Sequence, residues 1–183
     1  MRNALRLLLV AATLTACSSA PDSEPAPPPV LEPAACGAIA PLHSFGGIYL
    51  AGQPSAEDLE AAQRAGVKTV VTLRKDGELD WNEQQVVDDL GMTYVSLPYG
   101  SPDELTDEVF DAGRELLDTV ERPMMLHCHS ANRVGALWLP WRVLDGGASV
   151  EEATAEAKEV GLRSPALLAK ALDYVARRQS QAQ

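Results

Sequence analysis

The chain has 183 residues, of which 46% are hydrophobic and 22% charged, enough apolar material for one packed domain with extensions. Its formal charge is −11, which repels nucleic acid and anionic lipid, so neither is an expected partner of the folded part. An anionic substrate has to be drawn in by a local positive site, against the overall field.

In chain order, a separate segment comes first. Arg2 and Arg6 flank the start of an apolar run, Leu7 to Ala16, that is too short to cross a bilayer as a helix but suits a signal-peptide core. It ends in Leu14-Thr15-Ala16-Cys17, which resembles the lipobox of bacterial lipoproteins. The resemblance implies that residues 1–16 are removed and that Cys17 carries a lipid anchoring the protein to the membrane. Serine rather than aspartate after Cys17 implies the outer membrane, facing the periplasm. A cleaved secretory signal without lipid is the alternative. Residues 17–40, which include "SSAPDSEPAPPPVLEPAA", are proline-rich and predict an extended linker outside the fold.

The folded domain is expected over residues 41–178, with a short tail at 179–183. "GGIYLAG" (46–52) predicts a strand. Ser55 with Asp58 resembles a capping box; Leu59, Ala62 and Ala65 share one face of the helix that follows, and Gly66 stops it. "VKTVVTL" (67–73) reads as a buried strand, "NEQQVVDDL" (82–90) as a short helix and "MTYVSLP" (92–98) as the next strand. After a polar loop, Thr106 opens a helix to Val120, and "PMMLHC" (123–128) is a further strand. Helices are expected from Val134 to Leu144, where Pro140 predicts a kink, over 149–160, capped by Ser149, and over 165–178. Strands and helices alternating at these lengths predict an α/β fold, with a central, mainly parallel sheet flanked by helices. Ligands of such sheets bind beyond the carboxyl ends of the strands, where Cys128 stands.

A strand ending in cysteine, then a short loop entering a helix, aims backbone N–H groups and the positive helix end at one spot. Both favour thiolate over thiol and predict a nucleophilic Cys128. Arg133, at the helix entrance, can hold two oxygens of an oxyanion with its planar fork. The loop residues between them, His129, Ser130, Ala131 and Asn132, together with Val134, are the candidate substrate cradle. A buried core thiol and a surface arginine are the plainer alternative. Cys36 reads as a free thiol, or as a disulfide partner of Cys128 that would silence it. His127, Cys128 and His129 are all metal-ligand types, but consecutive positions cannot easily chelate one tetrahedral ion, so no metal or cofactor is expected.

"HCHSANRVGALW", with "AGQPSAEDLEAAQRAGVKTVVTLR" (51–74) and "YVSLPYG" (94–100), resembles the cysteine-dependent dual-specificity and tyrosine phosphatases. Within them it resembles the bacterial branch of beta-lactamase hydrolase-like phosphatase domains, over roughly residues 42–176. The resemblance implies a phosphoester hydrolase acting through a phospho-cysteine, on a phosphorylated small molecule or protein. It assigns nucleophile and oxyanion roles to Cys128 and Arg133 and a loop-shaping role to His127. It places a general acid before the long helix, where Asp103 is the nearest match and Glu104 and Asp107 compete. Arg74, at a strand's carboxyl end, would add positive charge, and His129 would contact substrate.

The chain departs from that signature in three ways. Four residues, not five, separate Cys128 from Arg133, Val134 replaces a hydroxyl residue, and the loop lacks glycine. Asn132 is expected to supply the positive φ that glycine usually provides. The short loop keeps open a rhodanese-like sulfurtransferase using a Cys128 persulfide, and the missing hydroxyl keeps open an inactive anion-binding module.

Overall fold

The computed structural model describes residues 28–181; Cys17 and the segment read as a signal lie outside the described residues. The elements are β1 (Glu32–Pro33), β2 (Leu42–Phe45), β3 (Ile48–Ala51), α1 (Ala56–Arg64), β4 (Thr69–Thr72), α2 (Glu83–Asp89), β5 (Thr93–Ser96), α3 (Asp107–Thr119), β6 (Met124–His127), α4 (Asn132–Leu144), α5 (Val150–Val160) and α6 (Pro165–Gln181). One six-stranded sheet runs in the order β1-β2-β3-β6-β4-β5. Its β3, β6, β4 and β5 are parallel, while β1 and β2 add an antiparallel end.

Two expectations about extent change. The linker expected to reach residue 40 gives way earlier, because Glu32 and Pro33 pair with Ser44 and His43 of β2 and Ile39 is buried. The tail expected from residue 179 is helical to Gln181.

The strands' alternation divides the core. Val71, Leu126 and Cys128 face one layer with α3, α4, α5 and α6, while Val70 and Met125 face the other with α1 and α2. The capping box forms: Asp58 N donates to Ser55 Oγ (3.1 Å) and Ser55 N donates to an Asp58 carboxylate oxygen (3.0 Å). Asp58 also accepts from Ala38 N at 2.6 Å, tying the residues ahead of β2 to α1.

Helix α4 is the centre of its layer, buried from Val134 through Val143, so it is enclosed on all sides rather than amphipathic, with its one buried charge in that run, Arg142, paired with Glu156. Pro140 sits inside it, within one helix from Asn132 to Leu144. Trp138 and Trp141 pack with Phe45 in edge-on and tilted pairs, and Trp138 is fully buried, so this stripe is core rather than site lining. A side chain at Gly135 would meet Ala157 O at 2.6 Å, so only glycine lets α5 lie this close to the start of α4. That contact matters to the site, because it presses the turn after α5 against the loop that Cys128 opens.

Candidate active site

Cys128 follows the last residue of β6, in the middle of the sheet and at the carboxyl ends of its parallel strands. Its N–H donates to Ala51 O (3.4 Å) and Gln53 N donates to His129 O (3.2 Å), so the loop is held by the chain leaving β3. The side chain is 1% exposed and forms the floor of the loop. The amides of His129 and Ser130 donate to no acceptor among the described residues.

The loop turns through Ala131, at φ 58° and ψ 3°, and α4 begins at Asn132. The expectation that Asn132 takes the positive φ is therefore corrected. The Asn132 side chain is used elsewhere: its Oδ1 accepts from Arg163 N (2.7 Å) and Ser164 N (3.0 Å), which fixes Asn132 in helical geometry and moves the left-handed step back one residue. Left-handed backbone costs a Cβ-bearing residue about 1 kcal/mol or more. Ala131→Gly is expected to stabilise the fold by about 0.5–1 kcal/mol, read as a raised urea midpoint at unchanged slope.

Arg133 lies in the first turn of α4 and reaches back over the loop. Its Nη1 donates to Leu73 O (3.0 Å), Tyr99 O (2.8 Å) and Glu78 Oε1 (2.8 Å), and its Nη2 donates to Glu78 Oε2 (2.7 Å). Tyr99 in turn donates from its hydroxyl to Arg133 O at 2.6 Å. The Glu78 hydrogen bonds, and after them the nearby charge and hydrogen bonding of Cys128, raise the guanidinium's pKa above its ordinary value. Burial pushes the Tyr99 hydroxyl well above its own, with the charge of Cys128 adding to it. Sulfur and guanidinium are thus neighbours, with the fork locked at one end and its remaining N–H groups free to meet an oxyanion.

Behind the loop runs a chain of contacts in which Gln53, Glu78 and Glu83, which the sequence reading did not select, join Arg74, His127 and Arg133, which it did. Arg74, expected to lend free charge, is engaged: its Nη1 donates to Gln53 Oε1 (2.8 Å), its Nη2 donates to Glu78 O, and its Nε lies 3.4 Å from Glu78 Oε2. Gln53 Nε2 donates to Glu83 Oε1 (2.8 Å), and Glu83 Oε2 lies 3.3 Å from His127 Nε2. That last pair is at ion-pair distance but misaligned for a hydrogen bond, and both side chains are buried. Burial opposes ionisation of Glu83, yet contacts from His127, Gln53 and Thr72 outweigh it and hold the carboxyl below its ordinary value. The path runs from His127 beside Cys128 through Glu83, Gln53, Arg74 and Glu78 to Arg133. The signal that could have found it is position alone, since Gln53 and Arg74 lie just past strand ends on the sheet's carboxyl edge.

The remaining candidates separate. His129 is exposed at the mouth of the loop, Ser130 is half-buried, and Val134, expected to line the cradle, points into the core with no exposure. Asp103 is exposed on the β5–α3 connection and makes no hydrogen bond among the described residues. Its two competitors are occupied: Glu104 accepts from Lys75 Nζ (2.9 Å) and Gly100 N (2.7 Å), and Asp107 is paired with Arg177. Cys36 and Cys128 are both free and belong to opposite layers of the core, so the disulfide reading fails.

Residues 46–142 match the family described as beta-lactamase hydrolase-like protein, phosphatase-like domain, which is more than half of the chain. The chain belongs to this family. It is 33% identical over 118 residues to the dual specificity protein phosphatase TpbA of Pseudomonas aeruginosa (strain UCBPP-PA14), covering 62% of this chain and 51% of that one. The chain therefore spans about half the length of the curated relative it matches. The crystal structure of P. aeruginosa TpbA superposes with a TM-score of 0.63 at 25% identity, over 82% of this chain and 96% of that one. A second TpbA structure, in complex with phosphotyrosine, gives 0.59 at 26% identity, over 78% and 90%. The DUF442 protein of Shewanella putrefaciens CN-32 shares the fold, with a TM-score of 0.63 at 19% identity, over 76% and 94%. The mixed sheet flanked by helices is thus the fold of this phosphatase-like family.

Glu78 is placed to orient Arg133. Hydrogen bonds from Arg133, against some burial, pull its carboxyl from the ordinary range down to about 2. A carboxyl lowered in the fold stabilises above its unfolded value near 4.3 and loses that contribution as pH falls toward 2. Glu78 is partly exposed, so the contribution at neutral pH is only about 1 kcal/mol. Glu78→Ala is expected to cost that much stability at pH 7 and nothing at pH 2, in denaturant titrations. Any activity residing in this loop should fall about 10- to 100-fold, because the guanidinium loses an anchor.

Proposed function

We propose that this protein is a cysteine-dependent phosphatase whose substrates are phosphotyrosyl or related phosphomonoesters. The observation that carries the reading is the meeting of Cys128 and Arg133 across one loop at the carboxyl edge of the sheet. The family membership and the phosphotyrosine held by TpbA support it.

In the proposed reaction, the Cys128 thiolate attacks phosphorus, and the bond from phosphorus to the leaving oxygen breaks. Asp103 gives its proton to that oxygen. The Arg133 fork and the amides of His129 and Ser130 stabilise the equatorial oxygens. Water then attacks the phospho-cysteine, its proton passes to Asp103, and Sγ leaves as thiolate with release of phosphate. Glu78 is not assigned as the acid, since both its carboxylate oxygens are held by Arg133 and the pairing favours its ionised form. Purified protein is expected to hydrolyse p-nitrophenyl phosphate in a Cys128-dependent manner. The four-residue loop supports a second reading, a sulfurtransferase; thiocyanate formed from thiosulfate and cyanide, without phosphatase turnover, would select it.

We also propose that Cys17 is lipidated and holds the domain on the periplasmic side of the outer membrane, a reading supported by Leu14-Thr15-Ala16-Cys17. Cys17→Ala should move the protein from the membrane fraction to the soluble one.

A further inference from the structure

The turn between α5 and α6 is built against the loop that holds Cys128. Gly161 closes α5 at φ 141°, where an added Cβ would lie 3.0 Å from Ser130 O and 3.1 Å from Ala131 Cβ. The amides of Arg163 and Ser164 then grip Asn132 Oδ1. These contacts fix where the side chain of residue 163 begins. From there Arg163 Nη2 donates to Ser130 Oγ (3.0 Å) and, more weakly, to Ser130 O (3.4 Å). Ser130 is the second residue after Cys128, so this cation sits at the rim of the proposed catalytic loop.

Arg114, Arg133, Arg142 and Arg177 are each satisfied by a carboxylate. Arg163 has no such partner among the described residues, and neither does Lys158 in the last turn of α5; Lys68, Arg122 and Lys170 share that condition, but Arg163 and Lys158 stand together. The two cations border a cavity of about 190 Å³ whose other walls are Leu162, Ser164, Pro165 and Leu168, with no acid. Two exposed, unneutralised cations over an apolar floor suit a carboxylate side chain carried beside the reacting group.

We propose that Arg163 and Lys158 form a second anion subsite at the rim of the loop, which selects phosphotyrosyl peptides with an acidic residue flanking the phosphotyrosine. The proposal rests on the phosphatase reading and names its substrate class. A peptide fits better than a membrane lipid, because a chain of formal charge −11 is repelled by an anionic bilayer while a short peptide carries few charges.

The test uses two phosphotyrosyl peptides that differ only in glutamate or glutamine beside the phosphotyrosine. Turnover is measured with the unsubstituted protein, and binding calorimetry with Cys128→Ser. The glutamate peptide is expected to be favoured about threefold to tenfold in kcat/KM, through KM, with the advantage shrinking in high salt. The preference should fall to about one in Arg163→Ala/Lys158→Ala and return in part with Arg163→Lys. Equal use of both peptides, or a preference that survives the double substitution, overturns the subsite and leaves the phosphatase reading intact. Discriminating binding to Cys128→Ser without any turnover of the unsubstituted protein has the opposite meaning: the subsite stands and the phosphatase reading falls. Neither turnover nor discriminating binding removes both. Preferred hydrolysis of a phosphorylated lipid in vesicles overturns the peptide assignment.

Discussion

Cys128→Ser is expected to bring aryl phosphate hydrolysis down to background, a loss of about 10⁴-fold or more. A serine hydroxyl fits the same place but stays protonated, and neither neighbouring histidine is placed to activate it. His127 is turned to Glu83 on the far side of the loop, and His129 is exposed at the mouth. The loop amides and the Arg133 fork are untouched, so the serine variant should still bind inorganic phosphate or a phosphotyrosyl peptide. Loss of turnover with retention of binding therefore marks a missing nucleophile rather than a collapsed loop. Arg133→Lys is the companion: it keeps the charge but loses the fork, and about 10²- to 10³-fold in kcat/KM should go with it. Initial rates on p-nitrophenyl phosphate with calorimetric phosphate binding measure both effects. Hydrolysis persisting in Cys128→Ser would end the proposal that this thiol is the nucleophile.

The largest loss of stability is expected from Glu83→Ala. Glu83 is 2% exposed and His127 not at all, and the carboxylate also accepts from Gln53. Truncation leaves a buried imidazole and a buried amide without their partner, at a cost of about 3–5 kcal/mol. For a domain of this size that lowers Tm by about 10 °C or more. Glu83→Gln should recover part of the loss, since its amide oxygen still accepts from Gln53. The acid limb of the stability curve supplies a second readout. Because the Glu83 carboxyl is held below its ordinary value, its contribution is present above a pH of about 4.3 and fades as pH falls below that. In Glu83→Ala that portion of the acid limb should flatten. A Tm within a degree or two of the parent would mean that the pair is not a keystone of the loop's support.

Which parts of this architecture were legible in the sequence depended on how locally each is determined. Helices announced by a cap and closed by a glycine, such as the one from Ser55 to Gly66, were readable because their signals lie within a few residues of one another. The short β1 and β2 were not. Glu32–Pro33 lies among prolines and becomes a strand only because β2 offers a partner. The pairing of Cys128 with Arg133 was legible for the same reason as the caps, since one loop carries both. The support behind it was not, because Gln53 follows β3 while Glu78 and Glu83 lie between β4 and the start of α2, and they meet only after the sheet forms. Ala131 is the sharpest case. Intrinsic preference assigns a left-handed residue to asparagine, and that preference lost to two hydrogen bonds from a turn some thirty positions away.

The short first strand has a directional consequence. Running antiparallel to β2, it lies along β3, so the backbone arriving from residue 28 enters beside Gly46, Gly47 and Arg122, at the blunt end where the parallel strands begin. Cys128 lies past the opposite tips of those strands, about 13 Å further on by the length of β6. The described chain thus enters the domain at its heel, and Cys128 lies toward the opposite end.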